Sequence, residues 1–341
     1  MRWLFLSALI CLVNAANGHP SWGITINAQG EIFFTDILHN EGTLWKIDAE
    51  GQLSAVITDF HAHDLYQDDK SNLWLAENLW IEGEIEGEGK HTLIKLNTSG
   101  EVDTLVSTFD IDLFSGTAFA ISPDRKIFFT HNGRIYRYGK DGSELYIDHK
   151  FKDVKNILMD EEGVLYITDS KFNNGTLYYK RPNGRLKILA EEIMPKAPKS
   201  PLFKEKRLQF LIGLAKDDDG NIYVSENAGC RIIKINKLGE KMVYYQSPSK
   251  WAPMNVAFHQ GEAFILEAGF NKYNRGPRVI KRSATGAISR VANIETSKIK
   301  EDKVSDYDEG QILPMWFYFG LFLLIFALVI ILSLRKQHKI D

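Results

Sequence analysis

Cysteine is almost absent from this chain of 341 residues, which contains only Cys11 and Cys230. Cys11 lies in a hydrophobic N-terminal segment that we expect to be removed, so the mature chain keeps one cysteine. An internal disulfide and a cysteine-based metal site are therefore excluded.

An excess of positive charge is also absent. Without its two hydrophobic ends, the chain has 37 basic and 43 acidic residues and a formal charge of −6. A protein that binds nucleic acids needs a cationic face, so we expect no nucleic-acid partner. The contents of 44% hydrophobic and 12% aromatic residues are those of a folded globular protein.

Helical periodicity is missing between residues 20 and 295, and several catalytic motifs are missing from the whole chain. There is no G-x-S-x-G nucleophile turn, no H-E-x-x-H zinc motif and no phosphate-binding P-loop. These absences exclude the best-known serine hydrolase, zinc protease and nucleotide-hydrolase signatures.

The chain begins with an apolar segment. Residues 1–16 place Arg2 before an apolar run and end in the small residues Ala15 and Ala16. This order is typical of a cleaved secretory signal peptide.

A second apolar segment lies near the C-terminus. Residues 312–334 carry no charge and would span about 34 Å as a helix, enough to cross a bilayer. Residues 335–341 are rich in basic side chains, which the positive-inside rule places in the cytoplasm, and residues 296–311 form a charged stalk. We expect a single-pass type I protein of the cell membrane, with residues 18–295 outside the cytoplasm.

One short pattern recurs through the middle of the chain. Each copy has an apolar strand, a turn with Asp, Asn or Gly, and a second strand that ends in an acidic or polar residue. The second strands read IFFTD (32–36), LWLAE (73–77), IFFTH (127–131), LYITD (165–169), IYVSE (222–226) and AFILE (263–267). Six copies at this spacing predict an all-β fold, a six-bladed β-propeller with four strands, a to d, in each blade.

The fifth copy shows the internal order best. Strand a is expected at Gly213–Lys216, strand b at Ile222–Ser225 and strand c at Arg231–Asn236, followed by a turn to strand d. The sixth copy has its own four strands, so we expect the ring to close without a strand from the N-terminus.

The copies GLAKDDDGNIYVSENAGCRIIKI and DEEGVLYITDSKFNNGTLYY resemble the NHL-repeat and SMP-30/gluconolactonase-like propellers. The resemblance covers about residues 19–295 and implies the fold more than the activity. Those families include calcium- or zinc-dependent lactonases, an amidating lyase and propellers that only bind partners.

In such propellers the start of strand a surrounds one mouth of the central channel, together with the b-to-c and d-to-a loops. Aligning the copies on strand b gives two rings of residues. The first ring is Trp22, His63, Thr117, Lys155, Ile212 and Met254, and the second ring is Gly23, Asp64, Ala118, Asn156, Gly213 and Asn255.

The second ring carries the candidate metal ligands. A lactonase-like site requires a hard cation held by several oxygens, and only Asp64, Asn156 and Asn255 offer them. The family's Asn-Gly-Leu and Asp-Gly-Met signatures are absent, and Lys155-Asn156-Ile157 and Leu211-Ile212-Gly213 stand in their place. These ligands, for Ca²⁺ or Zn²⁺, belong only to an enzyme alternative, and otherwise no cofactor is expected.

Two first-ring residues are the candidate catalytic groups of that alternative. His63 resembles a zinc-binding His of the amidating lyase by position, and it would act as general base or as an extra ligand. Lys155 would stabilise an oxyanion. Because a cation beside Asn156 repels a divalent ion, we instead expect Lys155 to pair with Asp64.

The acids that end the b strands are expected to hydrogen-bond loop backbone. Long loops at the mouth supply aromatic and basic side chains of the types that bind ligands. The candidate ligand-binding residues are Trp22, Trp80, Phe270, Tyr273 and Arg275.

Two functions remain open from the sequence. The preferred one is a membrane-anchored extracytoplasmic propeller that binds a protein or a small-molecule ligand on its mouth face. The alternative is a metal-dependent lactonase-like hydrolase or lyase that uses Asp64, Asn156 and Asn255.

Overall fold

A computed structural model describes most of the body of the chain. The described residues are 21–79, 89–139, 142–194, 210–227, 229–248, 251–269 and 276–294. The predicted signal peptide, stalk, membrane helix and tail lie outside them. Within the described ranges, no helix has the length and apolar character needed to cross a membrane.

The described residues form six four-stranded sheets, each a meander of four consecutive antiparallel strands. The first three sheets contain β1 (Ile24–Ile26), β2 (Ile32–Asp36), β3 (Thr43–Ile47), β4 (Leu53–Thr58), β5 (Ala62–Gln67), β6 (Leu73–Leu79), β7 (Lys90–Leu96), β8 (Val102–Thr108), β9 (Phe119–Ile121), β10 (Ile127–His131), β11 (Arg134–Gly139) and β12 (Gly142–Ile147). The other three contain β13 (Ile157–Met159), β14 (Leu165–Asp169), β15 (Thr176–Lys180), β16 (Lys187–Ala190), β17 (Leu211–Lys216), β18 (Ile222–Glu226), β19 (Arg231–Ile235), β20 (Lys241–Gln246), β21 (Trp251–His259), β22 (Glu262–Gly269), β23 (Pro277–Arg282) and β24 (Ile288–Asn293). These sheets are blades 1 to 6, and the six-bladed β-propeller predicted from the repeats is confirmed.

Turn chemistry explains why each copy folds into a hairpin. In blade 5, the Asp217 carboxylate accepts the backbone N–H of Asn221 at 2.8 Å and so closes the a-to-b turn. Gly220 occupies the left-handed position of that turn with φ of +78°, where a side chain would be strained. The same side-chain bond recurs in blades 1 and 4, at Asn27 and Asp160.

Apolar side chains fill the spaces between neighbouring blades. Phe128 of blade 3 packs in one cluster with Ile157 and Leu165 of blade 4. Between the first and last blades, Trp22 and Phe34 pack in one cluster with Met254 of blade 6. Burial of these faces is the main favourable contribution to holding the sheets together.

Blade 6 contains four strands from one continuous stretch of chain, β21 to β24. The described residues close the ring without a strand borrowed from blade 1, as expected from the sequence. Blades 1 and 6 therefore meet by packing of β1 against β21, which belong to different sheets.

The innermost strands approach one another closely at the second ring. A Cβ atom at Gly213 would lie 2.1 Å from the Met254 carbonyl oxygen and 2.8 Å from the Cα of Asn255. Both neighbours belong to the backbone of blade 6, which cannot rotate away. Glycine is required here for space, since its φ does not lie in the left-handed region.

We predict that Gly213→Ala lowers the free energy of unfolding by about 1–3 kcal/mol, because the methyl group forces blades 5 and 6 apart. Chemical denaturation followed by tryptophan fluorescence measures this change. Gly184→Ala is the matched control, because a Cβ there comes no closer than 3.3 Å to another atom, the Arg181 Cβ, and 3.6 Å to the nearest backbone atom. Equal stability of the two variants would show that blade contact is looser than described.

Candidate functional site

The two rings predicted from the sequence form at the start of the inner strands. Asp64 pairs with Ala76, Gly213 with Ser225 and Asn255 with Leu266, in each case the residue just before the acid of strand b. The other three blades show the same pairing through hydrogen bonds to carbonyl oxygens. The N–H groups of Thr35 and Thr130 donate to Gly23 and Ala118 at 3.0 Å, and the hydroxyl group of Thr168 donates to Asn156 at 3.4 Å. The alignment of the copies is therefore right in all six blades.

A break in strand register accompanies three first-ring residues. The pairing shifts between Ala62 and Asp64, between Leu211 and Gly213, and between Pro253 and Asn255. The residues skipped at these bulges are His63, Ile212 and Met254. Strand a of blade 5 consequently begins at Leu211, two residues earlier than the sequence predicted, because pairing continues beyond the bulge.

Large first-ring side chains of three neighbouring blades are buried at the mouth. Trp22 and Met254 are fully buried, and Ile212 is 1% exposed. All three belong to one apolar cluster, although they come from blades 1, 6 and 5. The predicted ligand-binding residue Trp22 is thus buried in the apolar packing of blades 5, 6 and 1.

His63 lies beside Trp22, and the two rings stack with centroids 5.3 Å apart. His61 meets His63 edge-on at 4.9 Å, and burial lowers the pKa of His61. The His63 carbonyl oxygen accepts the N–H of Trp22 at 2.7 Å and that of Gly23 at 3.0 Å. This predicted catalytic residue therefore lies where blades 1 and 2 join.

Asp64 is the one acidic residue of the two rings, and its pKa is strongly shifted. Burial raises its pKa from 3.8 to about 7, although the Leu65 N–H and the Trp22 side chain both hydrogen-bond the carboxyl group. Those bonds favour the ionised form but do not offset the loss of water. Asp64 is therefore largely protonated at mildly acidic pH.

The other predicted ligands are buried as well. Asn156 is 3% exposed and Asn255 is 6% exposed, and the side-chain oxygen of Asn255 accepts the Val256 N–H at 2.9 Å. Asp64 turns one oxygen to the Leu65 N–H in the same way, at 2.9 Å.

These side chains do not fit a divalent cation. Calcium in proteins takes six to eight oxygen ligands, mostly carboxylates and carbonyls. The two rings supply one carboxylate, Asp64, whose charge burial disfavours, and Lys155 adds a cation to the same mouth. Over the described ranges, no three His, Cys, Asp or Glu side chains lie together as a metal would require.

Lys155 does not make the contact expected of it. Its ammonium group pairs with Asp153 at 3.1 Å and lies 4.6 Å from the centre of the Phe210 ring. The expected pair with Asp64 was wrong because a carboxylate two residues away in the same loop is nearer than one on another blade. Lys171 shares Asp153, at 3.3 Å.

The acids that end strand b in blades 1, 2 and 4 hydrogen-bond loop backbone, as predicted, whereas Glu226 and Glu267 pair with the side chains of Arg231 and Arg278. Asp169 is 1% exposed and accepts the backbone N–H groups of Lys152, Asp153 and Lys171 at 2.6 to 3.1 Å. Glu77 accepts the His61 N–H at 2.9 Å, and burial raises the pKa of Glu77.

Glu267, the acid of blade 6, accepts a hydrogen bond from the hydroxyl group of Tyr245 at 2.9 Å and pairs with Arg278. A cavity of about 10 Å³ lies nearby, lined by Asp36, Met254 and Glu267 among others. It has room for one water molecule and none for an organic ligand.

Blades 3 and 4 present a more open and polar part of the mouth face, which we call the rim sector. We define it by Asp112, Thr117, Asn132, Lys152, Lys155 and Lys171. His131 joins its loops by pairing with Asp112 at 2.8 Å, and Phe151 donates its N–H to the Gly133 carbonyl oxygen at 2.8 Å. The side chains of Asp112 and Lys171 are 83% and 55% exposed.

Trp80, Phe270, Tyr273 and Arg275, the other predicted ligand-binding residues, lie outside the described residues. Sequence reasoning missed Asp153, Lys152 and Lys171. The spacing of charges in FKDVK (151–155) was the signal that could have revealed the Asp153–Lys155 pair.

No family model and no curated protein matches the chain. Several solved structures resemble it. Virginiamycin B lyase from Staphylococcus aureus is 17% identical, with 81% of this chain and 84% of that chain covered and a TM-score of 0.51. A gluconolactonase from Xanthomonas campestris is 14% identical, with 76% and 86% covered and a TM-score of 0.53.

A calcium-binding protein, regucalcin, from Agrobacterium tumefaciens is 14% identical, with 81% of this chain and 94% of that chain covered and a TM-score of 0.51. These likenesses confirm the resemblance to SMP-30/gluconolactonase-like propellers at the level of fold. At such low identity they carry no activity over to this chain.

We predict that Asp64→Asn removes a pH-dependent loss of stability. The unfolded chain releases the Asp64 proton near pH 3.8 and the folded chain near pH 7, so stability falls as pH rises through that window. Asparagine cannot ionise. The stability of the variant relative to the wild type should therefore rise by about 2–3 kcal/mol between pH 5 and pH 8.

Urea denaturation at the two pH values measures this difference, and Asp218→Asn, at an exposed position, serves as the control. Calcium or zinc should leave the melting temperature of the wild type unchanged. A melting temperature that rises with either ion, and no longer rises in Asp64→Ala, would show that Asp64 is a metal ligand.

Proposed function

We propose that this protein is a membrane-anchored extracytoplasmic propeller that binds a partner through the rim sector of its mouth face. The observation that carries the proposal is the burial of Trp22, Ile212 and Met254, three first-ring residues that pack in one apolar cluster and offer no polar group to a reaction at the axis. Chemistry at the axis needs an open site with converging polar groups, whereas contact with a partner needs only an accessible rim.

A protein partner suits the rim sector better than a small molecule does. Small-molecule sites are concave and usually have volumes of several hundred cubic ångströms. The loops of the rim sector instead offer exposed charged side chains on a surface fixed by hydrogen bonds such as those to Asp169.

The hydrolase or lyase alternative has less support. Two of the solved structures that share the fold are described as a lyase and a gluconolactonase, but at 17% and 14% identity. In this chain the candidate base His63 stacks on Trp22, and Lys155 is paired with Asp153. Neither arrangement leaves the two groups directed at a common reacting atom.

We predict that a photo-crosslinking amino acid at Thr117 forms a covalent adduct with a partner on intact cells. Thr117 is half-buried in the rim sector, so its side chain lies against whatever binds there. The same amino acid at Asp218, in the a-to-b turn of blade 5 on the opposite face, should give no such adduct. Adducts from Asp218 alone would place the binding surface on the face opposite to the mouth and would contradict the proposal.

The expected topology has its own test. Residues 1–16 and 312–334 predict that the propeller lies outside the cytoplasm and that residues 335–341 lie inside. Protease added to intact cells or spheroplasts should digest the propeller, and a tag fused after Asp341 should survive. A protected propeller would contradict this topology.

A further inference from the structure

The loops of blade 4 that face the mouth form a rigid basic platform. The platform consists of Lys152, Asp153, Lys155, Lys171 and Phe172, from the d-to-a and b-to-c loops of that blade. The buried Asp169 carboxylate accepts three backbone N–H groups from the two loops and so ties them together. The Ser170 N–H also donates to the Asp153 carbonyl oxygen at 2.9 Å. The platform therefore keeps its shape without a ligand.

The platform carries more positive than negative charge. Lys155 and Lys171 share one carboxylate, Asp153, at 3.1 and 3.3 Å. Lys152 is exposed, and no carboxylate within the described ranges lies within 4.0 Å of its ammonium group. Within the platform, three ammonium groups thus share one carboxylate, Asp153, whose side chain is 9% exposed, because Asp169 is 1% exposed and bonded to backbone.

Aromatic rings position two of the ammonium groups. Lys152 lies 5.1 Å from the centre of the Phe172 ring, and Lys155 lies 4.6 Å from the centre of the Phe210 ring. A cation over an aromatic face is weakly held and keeps part of its charge directed outward. The lysines are therefore partly ordered and still able to pair with an anion.

The charge of the rest of the body limits the choice of anion. The chain without its hydrophobic ends has a formal charge of −6, which repels a long polymer with dense negative charge. Binding of such polymers also depends on many phosphate contacts, whereas this platform offers three ammonium groups. A short segment with two or three spaced carboxylates can pair with the three ammonium groups and is repelled less by the acidic body than a long polymer is.

We propose that the platform binds an acidic segment of a protein partner, whose Asp or Glu carboxylates pair with Lys152, Lys155 and Lys171. This inference rests on the proposed function, because it names the chemistry of the partner at the rim sector. Carboxylates of the partner compete with Asp153 for Lys155 and Lys171, so Asp153 limits the affinity.

The test uses the full chain in detergent micelles and a fluorescent peptide of about a dozen residues that alternates Glu with Ala. We expect binding that weakens as ionic strength rises to about 0.15 M. Lys152→Glu with Lys171→Glu should weaken it about tenfold or more, because both charges reverse. Asp153→Asn should strengthen it several-fold, a gain that a purely structural role for Asp153 would not produce.

Charge reversal of Lys187 and Lys237 is the matched control, because both are exposed and lie away from the mouth face. This control should bind the peptide like the wild type. Equal loss of binding in both double variants, or no loss in either, would overturn the acidic-segment proposal. Tighter binding of a heparin oligosaccharide than of the peptide would overturn it in favour of a polyanionic glycan.

The two proposals fail separately. Adducts from Thr117 on cells without binding of the acidic peptide would leave the mouth-face function standing and remove the acidic class of partner. Binding of the peptide without adducts from Thr117 would show a basic site that is not used on the cell surface.

Discussion

The space available where six inner strands meet constrains every other feature of the mouth. At the second ring, blades 1, 3 and 5 carry Gly23, Ala118 and Gly213, and the blades between them carry larger polar residues. A Cβ at Gly23 would lie 2.7 Å from the Leu65 nitrogen, and one at Gly213 would lie closer still to backbone, 2.1 Å from the Met254 carbonyl oxygen. Small residues in alternate blades therefore make room for the polar side chains of the others, and Asp64 is buried as a result.

Burial of first-ring residues leaves the accessible polar groups elsewhere on the mouth face. Trp22, Ile212 and Met254 are buried in one apolar cluster, and Asp64 loses water and becomes a weaker acid. Blades 3 and 4 differ because their first-ring residues are Thr117 and Lys155, which stay partly exposed. Among the described residues, the first ring is therefore apolar and buried in blades 5, 6 and 1, and polar and partly exposed in blades 3 and 4.

Sequence alone predicted the number of blades and the register of both rings, because both follow from local patterns. The strand that reads IYVSE in blade 5 fixes its hairpin partners by alternation and by the Asp217 turn. The partner of Lys155 could not be predicted in this way, because Asp64 and Asp153 are both plausible until the loops are folded. Likewise, the raised pKa of Asp64 depends on burial by residues from other blades.

Each blade is built from consecutive strands, so both ends of the propeller emerge at the same place. Trp22 lies just before the first inner strand, β1, at the mouth. Ile294 follows the last outer strand, and its N–H donates to the Pro277 carbonyl oxygen, just after a b-to-c loop. The chain thus enters and leaves on the mouth face, between blades 1 and 6. Immobilisation of the protein through either end of the propeller would crowd the surface that carries the rim sector. Attachment through an a-to-b turn would leave that surface accessible.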